Sequence, residues 1–283
     1  MTKIKWSEVQ LHRLKELDAA PDEQDQEFNS TAERDRAFHL LETGLIRNAR
    51  SHLRELREKY LRPSLCRLES VLVETLTGRG FVQVVTPTIM SRAHLAKMTI
   101  AEKHPLYSQV YWLDKDKCLR PMLAPHLYYV LKDLLRLWEN PVRIFEVGSC
   151  FRKESQGAQH SSEFTMLNLV EMGLPADQCR PRLEELALLV TRAAGLEKYT
   201  LETETSAVYG ETIDVVVETP AGKIEIGSAA MGPHPLDAAW KITVAWMGIG
   251  FGLERLLMVK EKSPNLAKMG RSLSYLDGIR LNI

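Results

Sequence analysis

The chain has 283 residues, 45% of them hydrophobic and 26% charged, and its 37 basic residues balance its 37 acidic residues. This composition is typical of a globular protein with one large domain, or with one domain and a small appendage. Zero net charge excludes nucleic-acid binding through the whole surface, so any such contact needs a local basic patch. The four cysteines form no CxxC pair, which argues against a zinc site or a disulfide framework, and no apolar run approaches the ~18 residues of a membrane span. We expect a cytoplasmic protein without export or membrane anchoring.

Helical patterns occupy the first 80 residues. Ser7 and Ser30 each stand three residues before a Gln or a Glu, the spacing of a capping box, and apolar residues follow both at helical intervals. A third helix is predicted to end before Pro63. A fourth is predicted from four leucines at helical spacing, which are Leu65, Leu68, Leu72 and Leu76. We therefore expect an N-terminal helical domain over residues 1–80 and a second domain over residues 81–283.

A basic segment lies within the predicted N-terminal domain. Residues 47–67 contain seven basic residues and two acidic ones. Such a segment is usually a solvated helix face, and contact with an RNA phosphate backbone is the alternative. The arginines assigned to that alternative are Arg47, Arg50, Arg54 and Arg57.

The second domain is predicted to begin with a strand that ends at Pro87, followed by a short hairpin over residues 107–120. Residues 124–138 are predicted to form a helix. Four of its residues recur at i, i+3, i+4 and i+7 and so share one face, namely Ala124, Leu127, Tyr128 and Leu131. A face of this kind usually packs in a core, and a binding pocket is the alternative.

Two strands, residues 142–152 and 163–172, are predicted to form an antiparallel hairpin around a polar loop. Strand alternation places one aromatic side chain, two apolar ones and one amide on a single face, namely Phe164, Met166, Asn168 and Val170. A basic and an acidic residue, Arg152 and Glu154, stand at the mouth of the hairpin. The pattern suits the wall of a pocket, and an ordinary amphipathic hairpin is the alternative.

Further strands are predicted over residues 199–230, and a glycine-rich strand precedes the last helix. Gly248, Gly250 and Gly252 alternate with apolar residues, so one face of this strand has no side chains and a flat ring could lie on it. Close packing between the strand and a helix is the alternative. The spacing differs from the GxGxxG loop of dinucleotide-binding folds.

Three ordered motifs resemble those of the class II aminoacyl-tRNA synthetases. They are Pro87 after a strand, Phe151-Arg152-Lys153-Glu154 with Phe164 after the loop, and Gly248-x-Gly250-x-Gly252-x-Glu254-Arg255. Each motif alone is a weak signal, and the three in this order are a strong one. Within that class, several segments are similar to the catalytic domain of pyrrolysyl-tRNA synthetases: Leu119–Pro125, Leu127-Tyr128, Glu163–Asn168, Val208–Gly210 and Gly252–Leu257.

The resemblance covers residues 80–283 well and the first 80 residues loosely. It implies an α+β fold with an antiparallel β-sheet flanked by helices and an N-terminal helical segment. The separate small tRNA-binding domain of some members is not seen, so we expect the short or split form of the enzyme. Two places depart from the family pattern, Ser161-Ser162 after the loop and Val244-Ala245 before Trp246.

The resemblance also implies site residues. Arg152, Glu154 and Arg255 are the expected catalytic residues: Arg152 contacts the α-phosphate and the substrate carboxylate, Glu154 the adenine amino group, and Arg255 the γ-phosphate end. Phe164 is expected to stack on adenine, with Gly250 beside the nucleotide. Glu225 and Ser228 are expected to bind Mg²⁺. The implied amino-acid pocket comprises Ala124, Leu127, Tyr128, Leu131, Asn168, Val170, Tyr209, Ala230 and Trp246.

The implied activity is ATP-dependent activation of pyrrolysine, or of a bulky Nε-acylated lysine, and its transfer to an amber-reading tRNA. ATP and Mg²⁺ are the expected cofactors. A homodimer is expected, together with tRNA as partner and a separate protein that supplies the N-terminal domain. Two alternatives stay open: a class II synthetase-like enzyme for another large amino acid, and a non-catalytic relative that binds tRNA or senses an amino acid.

Overall fold

The structure is a computed structural model that describes residues 3–153, 161–220, 222–263 and 265–283. Two compact units form it. Met1–Pro63 and Ser272–Ile283 make the first, and Ser64–Arg271 make the second. No helix in the described ranges is long and apolar enough to cross a membrane.

The regular elements are numbered in chain order. The helices are α1 Glu8–Glu16, α2 Pro21–Gln24, α3 Thr31–Glu55, α4 Ser64–Thr77, α5 Arg92–Lys97, α6 Ala124–Leu137, α7 Ala176–Ala193, α8 Asp237–Trp240 and α9 Leu253–Lys260. The strands are β1 Ile4–Lys5, β2 Glu27–Phe28, β3 Val82–Gln83, β4 Ile89–Ser91, β5 Lys117–Leu119, β6 Val142–Phe151, β7 Glu163–Met172, β8 Thr200–Ser206, β9 Gly210–Thr219, β10 Gly222–Gly232, β11 Trp246–Gly252, β12 Tyr275–Leu276 and β13 Ile279–Arg280.

The first unit is mainly helical and has a small core of its own. Trp6, Leu14 and Phe28 are buried together in that core, and β1 pairs with β2. The predicted capping box at Ser7 is confirmed, since its hydroxyl accepts from the Gln10 N–H and the Gln10 side chain accepts from the Ser7 N–H.

The second and third helices predicted for the first unit form a single helix. Helix α3 runs through the position where a break between the second and third helices was predicted, and it continues as a π-helical turn over Leu56–Tyr60. The apolar pattern of the second predicted helix ends at Leu45 and that of the third begins at Leu53, and no glycine or proline stands between them to end the helix.

The second unit is built on a seven-stranded sheet with the order β3-β6-β7-β11-β10-β9-β8. Every neighbouring pair is antiparallel except β3 and β6. Helices α4, α7 and α9 cover one face, and α5, α6 and α8 lie on the other. The predicted α+β class, with an antiparallel sheet flanked by helices, is confirmed.

The boundary between the units lies earlier than the predicted residue 80. Helix α4 belongs to the second unit because Leu68, Leu72 and Leu76 are buried in the core beneath the sheet. The C-terminal residues 272–283 belong to the first unit.

The hairpin predicted over residues 107–120 was wrong in its first strand. Pro105–Gln109 form a 3₁₀ turn, and β5 pairs with β4 instead. Around the predicted turn, Trp112 and Cys118 form a bridge, and the N–H groups of Leu113 and Leu119 donate to the carbonyls of Lys117 and Tyr111. The predicted turn is present, because the Asp114 carboxylate accepts from two backbone N–H groups that follow it.

Candidate active site

A cavity of about 410 Å³ opens in the second unit, on the sheet face that carries α6. It brings together residues from α6, β7, β8, β9, β10, β11 and α9, together with Arg152, the residue that follows β6. All nine residues of the predicted amino-acid pocket line it: Ala124, Leu127, Tyr128, Leu131, Asn168, Val170, Tyr209, Ala230 and Trp246. Six of the seven residues predicted for the nucleotide line it too: Arg152, Phe164, Glu225, Ser228, Gly250 and Arg255. The seventh, Glu154, lies outside the described residues.

One row of paired residues crosses the floor of the cavity. Asn168 pairs with Gly250, Gly250 with Ser228, and Ser228 with Asp214, each on the neighbouring strand. Because directly opposite residues of antiparallel strands point to the same face, all four face the cavity. A Cβ added to Gly250 would lie 3.0 Å from the Asn168 Oδ1 atom. The missing side chain at Gly250 therefore leaves the floor open beside the amide.

A β-bulge in β10 places the two predicted metal ligands on one face. Glu225 and Ser228 are three residues apart, and strict alternation would put them on opposite faces. The register shifts between Glu225 and Gly227, so that Ile226 and Gly227 both point to the core beneath the sheet. Both Glu225 and Ser228 consequently line the cavity.

Arg152 and Arg255 form the charged end of the cavity, and a backbone carbonyl accepts a hydrogen bond from each guanidinium. The Arg152 Nε atom donates to the Pro121 carbonyl over 2.9 Å, and its guanidinium lies 5.2 Å from the Phe164 ring centroid. Arg255 donates to the Glu225 carbonyl over 3.0 Å and lies 3.5 Å from its carboxylate. The surrounding protein raises the pKa of the Glu225 carboxyl, although 46% of its side-chain surface still meets solvent. The carboxylate is thus partly enclosed but reachable from the cavity.

The apolar end is closed by side chains from α6, β7 and β11. Leu127 and Leu131 have no exposed surface, and Trp246 is 2% exposed. The Tyr128 and Trp246 rings meet edge to face at 5.5 Å. Desolvation raises the pKa of the buried Tyr128 hydroxyl, and the nearby Tyr209 hydroxyl adds to that rise. This end can enclose a long apolar group while leaving a few polar atoms to orient it.

A buried network supports the charged end, and the sequence analysis did not predict it. Arg120 and Glu146 form an ion pair at 2.7 Å with 4% and 1% side-chain exposure. Arg120 also donates to the Ser149 and Thr86 carbonyls, and the Thr86 hydroxyl donates to the other Glu146 oxygen. A buried pair of this kind persists only when its remaining polar atoms are satisfied. The network ties Thr86 and Arg120 to β6, the strand that ends immediately before Arg152.

Two further buried carboxylates, Glu254 and Asp237, orient residues of the cavity wall through hydrogen bonds. Glu254, buried to 1% exposure, accepts from the backbone N–H of Thr165 over 2.9 Å, next to Phe164. Asp237 accepts from the Trp246 indole N–H over 3.0 Å. Burial raises the pKa of Glu254, and hydrogen bonds from Thr165 oppose that rise. The family motif contains Glu254, but no pattern in the sequence indicates its partner 89 residues away.

Comparison with known proteins decides the family. Residues 53–277 match the family described as tRNA synthetases class II core domain (F). The chain belongs to the class II tRNA synthetases. A pyrrolysyl-tRNA synthetase from Desulfitobacterium hafniense is similar to this synthetase, with 53% identity, a TM-score of 0.91 and coverage of 99% of both chains. A second structure of a pyrrolysyl-tRNA synthetase from that organism shares 52% identity at a TM-score of 0.88, over 99% of this chain and 96% of the other. The predicted resemblance is confirmed.

More distant relatives share only part of the synthetase. The lysylphosphatidylglycerol biosynthesis bifunctional protein LysX of Mycolicibacterium gilvum is 34% identical over 120 residues, which is 41% of this chain. LysX of Mycobacterium leprae is 35% identical over 127 residues, or 43% of this chain. The chain spans about a tenth of the length of these curated relatives.

The donor set on β9 and β10 fits a hard cation. Glu225 and Ser228 supply oxygen atoms, and Asp214, whose carboxylate accepts from the Ser228 hydroxyl over 2.6 Å, adds a second carboxylate. Within the described ranges no group of three or more His, Cys, Asp or Glu residues could hold a metal by itself. Mg²⁺ in synthetases and kinases is usually bound by one or two carboxylates together with substrate phosphates, so this smaller set fits.

The predicted RNA-contacting arginines lie on the exposed surface of the first unit. Arg47, Arg50 and Arg54 follow one another at i, i+3 and i+7 on α3 and line one shallow groove. Arg57, on the π-helical turn, is exposed as well. The helix therefore presents a row of cations to solvent.

Proposed function

We propose that this synthetase activates pyrrolysine, or a lysine with a bulky acyl group on its ε-nitrogen, with ATP and transfers it to a cognate amber-reading tRNA. The observation that carries the proposal is that one cavity joins a charged end, with Arg152 and Arg255, to an apolar end closed by Leu127 and Trp246. The 53% identity to a pyrrolysyl-tRNA synthetase over nearly the whole chain supports this substrate class.

The first half-reaction needs little covalent chemistry from the protein. The amino-acid carboxylate attacks the α-phosphorus of ATP, an oxygen–phosphorus bond forms, and pyrophosphate leaves with the electrons of the broken bond. Because the nucleophile is already ionised, no general base is required, and catalysis consists of positioning and charge stabilisation. Arg152 and Arg255 supply that charge. This accounts for a site whose described residues contain neither a Ser-His-Asp nor a Cys-His arrangement.

At the charged end, the nucleotide would lie on the floor beside Gly250, with adenine against Phe164 and its amino group at Glu154. The Arg152 guanidinium already faces the Phe164 ring, so a base that stacks on Phe164 would place its α-phosphate within reach of Arg152. Glu225 and Ser228 would hold Mg²⁺, which neutralises phosphate charge when bound.

At the apolar end, Asn168 is the recognition group that we propose for the acyl carbonyl, with Tyr209 at the polar end of the side chain. Among the described residues that line this end there is no carboxylate, and the nearby Asp237 carboxylate is engaged by the Trp246 indole, so the lining offers no partner for a free ammonium. Apolar contacts discriminate by only ~1–3 kcal/mol per methylene, and the pocket should therefore accept related bulky groups.

Three partners and a cellular location are proposed together with the activity. Exposed arginines on α3 support contact of the first unit with tRNA, and four exposed apolar side chains support a homodimer: Val71, Val82, Val85 and Ile89. A separate protein that carries the N-terminal tRNA-binding domain is a third. The proposed location is cytoplasmic, supported by four cysteines that form no disulfide.

Amino-acid-dependent exchange of pyrophosphate into ATP tests the function. We expect exchange with bulky Nε-acyl-lysines and none with free lysine, over a panel that includes the common amino acids. Exchange with phenylalanine but with no acyl-lysine would favour a synthetase for another large amino acid. No exchange with any member of the panel would favour a non-catalytic relative.

A further inference from the structure

The turn between β8 and β9 forms part of the cavity wall, and two histidine side chains hydrogen-bond to its backbone carbonyls. The turn has three residues, Ala207, Val208 and Tyr209, and the last two line the cavity. The Ala207 carbonyl lies 3.0 Å from the Nε2 atom of His104. The Tyr209 carbonyl lies 2.9 Å from the Nε2 atom of His234.

Both histidines begin the same tripeptide, His-Pro-Leu. In each, the Nδ1 atom accepts from the backbone N–H of the leucine two residues later, Leu106 or Leu236, over 3.1 Å. An accepting Nδ1 carries no proton, so the proton of the neutral ring is on Nε2. A carbonyl oxygen can only accept, and it therefore requires the same tautomer. Each ring is held in the form that donates to the turn.

We infer that His104 and His234 are positioning residues for the amino-acid end, because together they fix the Val208–Tyr209 wall over it. The inference deepens the proposed function and rests on it for the identity of the substrate. A local cap alone would not require histidine, since Asn, Asp or Ser accepts a backbone N–H equally well. The histidine ring has a second nitrogen, Nε2, which hydrogen-bonds to the turn between β8 and β9.

Val208 packs in the core and the Tyr209 ring meets Trp246, but the other described hydrogen bonds of the turn backbone are local. The Ser206 hydroxyl accepts from the N–H groups of Val208 and Tyr209 over 3.2 and 3.4 Å. These bonds shape the turn but do not tie it to the rest of the second unit. The two imidazoles supply the long-range hydrogen bonds to the turn backbone, one from the segment before Pro105 and one from the connection between β10 and β11.

Asn and Gln variants separate the two roles of each ring. An Asn oxygen takes the place of Nδ1 and keeps the local cap, but its amide does not reach the turn. A Gln amide reaches about as far as Nε2 and can donate to the turn, but it leaves the leucine N–H without its acceptor. His104→Asn and His234→Asn therefore remove the tie, and His104→Gln and His234→Gln retain it.

Hydrogen exchange of the turn amides, measured without substrate, is the first readout. We expect exchange of residues 207–210 to rise about three- to tenfold in each Asn variant and to stay near wild type in the Gln variants. Faster exchange in the Gln variants than in the Asn variants would assign the histidines to capping alone and overturn the inference. Equal exchange in all four variants and the wild type would overturn it as well.

The Michaelis constants in pyrophosphate exchange are the second readout. The Asn variants should raise KM for an acyl-lysine about three- to tenfold, and about 30-fold when combined, with KM for ATP unchanged. A parallel rise in KM for ATP would mean that the whole site had deformed and would overturn the inference. If the wild type exchanges pyrophosphate with no acyl-lysine, the proposed function fails, and hydrogen exchange still decides whether the histidines hold the turn.

Discussion

The two ends of the cavity are built differently. At the apolar end the lining side chains also belong to the core of the second unit, and Leu127 and Leu131 have no exposed surface. At the charged end Arg152 and Arg255 are partly exposed, and carbonyl groups hold them from one side. The fold needs the first set of residues whether or not a ligand binds. It needs the second set much less.

This difference indicates where stability and activity can be separated. A change at the apolar end removes packing and widens the pocket at once, because the same methyl groups serve both purposes. A change at the charged end removes charge stabilisation from the reaction and little packing.

The largest effect is expected at Arg152. Arg152→Ala should lower the rate of pyrophosphate exchange about 1000-fold, because no other described side chain approaches Phe164 with a cation. The free energy of unfolding should fall by only about 1–2 kcal/mol, the usual contribution of the hydrogen bond to Pro121 and the contact with Phe164. The neighbouring exposed Lys153→Ala is the matched control and should keep nearly full exchange. A loss of folded protein in Arg152→Ala would show that the charged end is part of the core after all.

In contrast to Arg152→Ala, Leu127→Ala should mainly lower the stability of the fold. The side chain is fully buried on α6, so its truncation should cost about 3 kcal/mol in the free energy of unfolding, measured by urea denaturation. KM for ATP should stay constant, while the preferred acyl group should become larger. Unchanged stability would contradict the dual role assigned to this end.

Gly250 and Gly248 provide a matched pair on the floor. A Cβ at Gly250 would meet Asn168 Oδ1 at 3.0 Å, whereas one at Gly248 would meet its nearest atoms at 3.4 Å. We expect Gly250→Ala to lower kcat/KM for the acyl-lysine about tenfold, and Gly248→Ala to lower it about threefold or less. Equal effects would show that the open floor beside Asn168 is not required.

The smallest effect is expected outside the cavity. Charge reversal of Arg54 and Arg57 should weaken tRNA binding several-fold at low salt and reduce the slope of log K against log salt by about 1–2. Pyrophosphate exchange should not change. An unaltered salt slope would make this part of α3 an ordinary solvated face.

Local periodicity predicted much of the site. Alternation along β7 and helical spacing along α6 each selected residues that line the cavity, and the period-2 glycines marked its floor. These patterns are short-range, since each depends on the geometry of one element. The order of the three motifs then indicated the family, and the family resemblance predicted that α6, β7 and β11 line one pocket.

Long-range pairings could not be predicted in the same way. The bulge after Glu225 and the row from Asn168 to Asp214 depend on strand register, which no single strand encodes. The buried pair of Arg120 and Glu146 joins residues 26 positions apart, and each alone looks like a surface charge. The first strand of the predicted hairpin at 107–120 was wrong for a related reason, because Leu106 and Tyr107 pack against the core from a 3₁₀ turn rather than from a strand.

The central claim is that one cavity holds the nucleotide and the acylated side chain together. Binding of a non-reactive sulfamoyl analogue of the adenylate of Nε-tert-butoxycarbonyl-lysine, measured by calorimetry, tests it most directly. We expect one analogue per chain, bound at least about 100-fold more tightly than either AMP or the amino acid, because joining two groups that share a site removes one association cost. Binding no tighter than that of AMP alone would contradict the account.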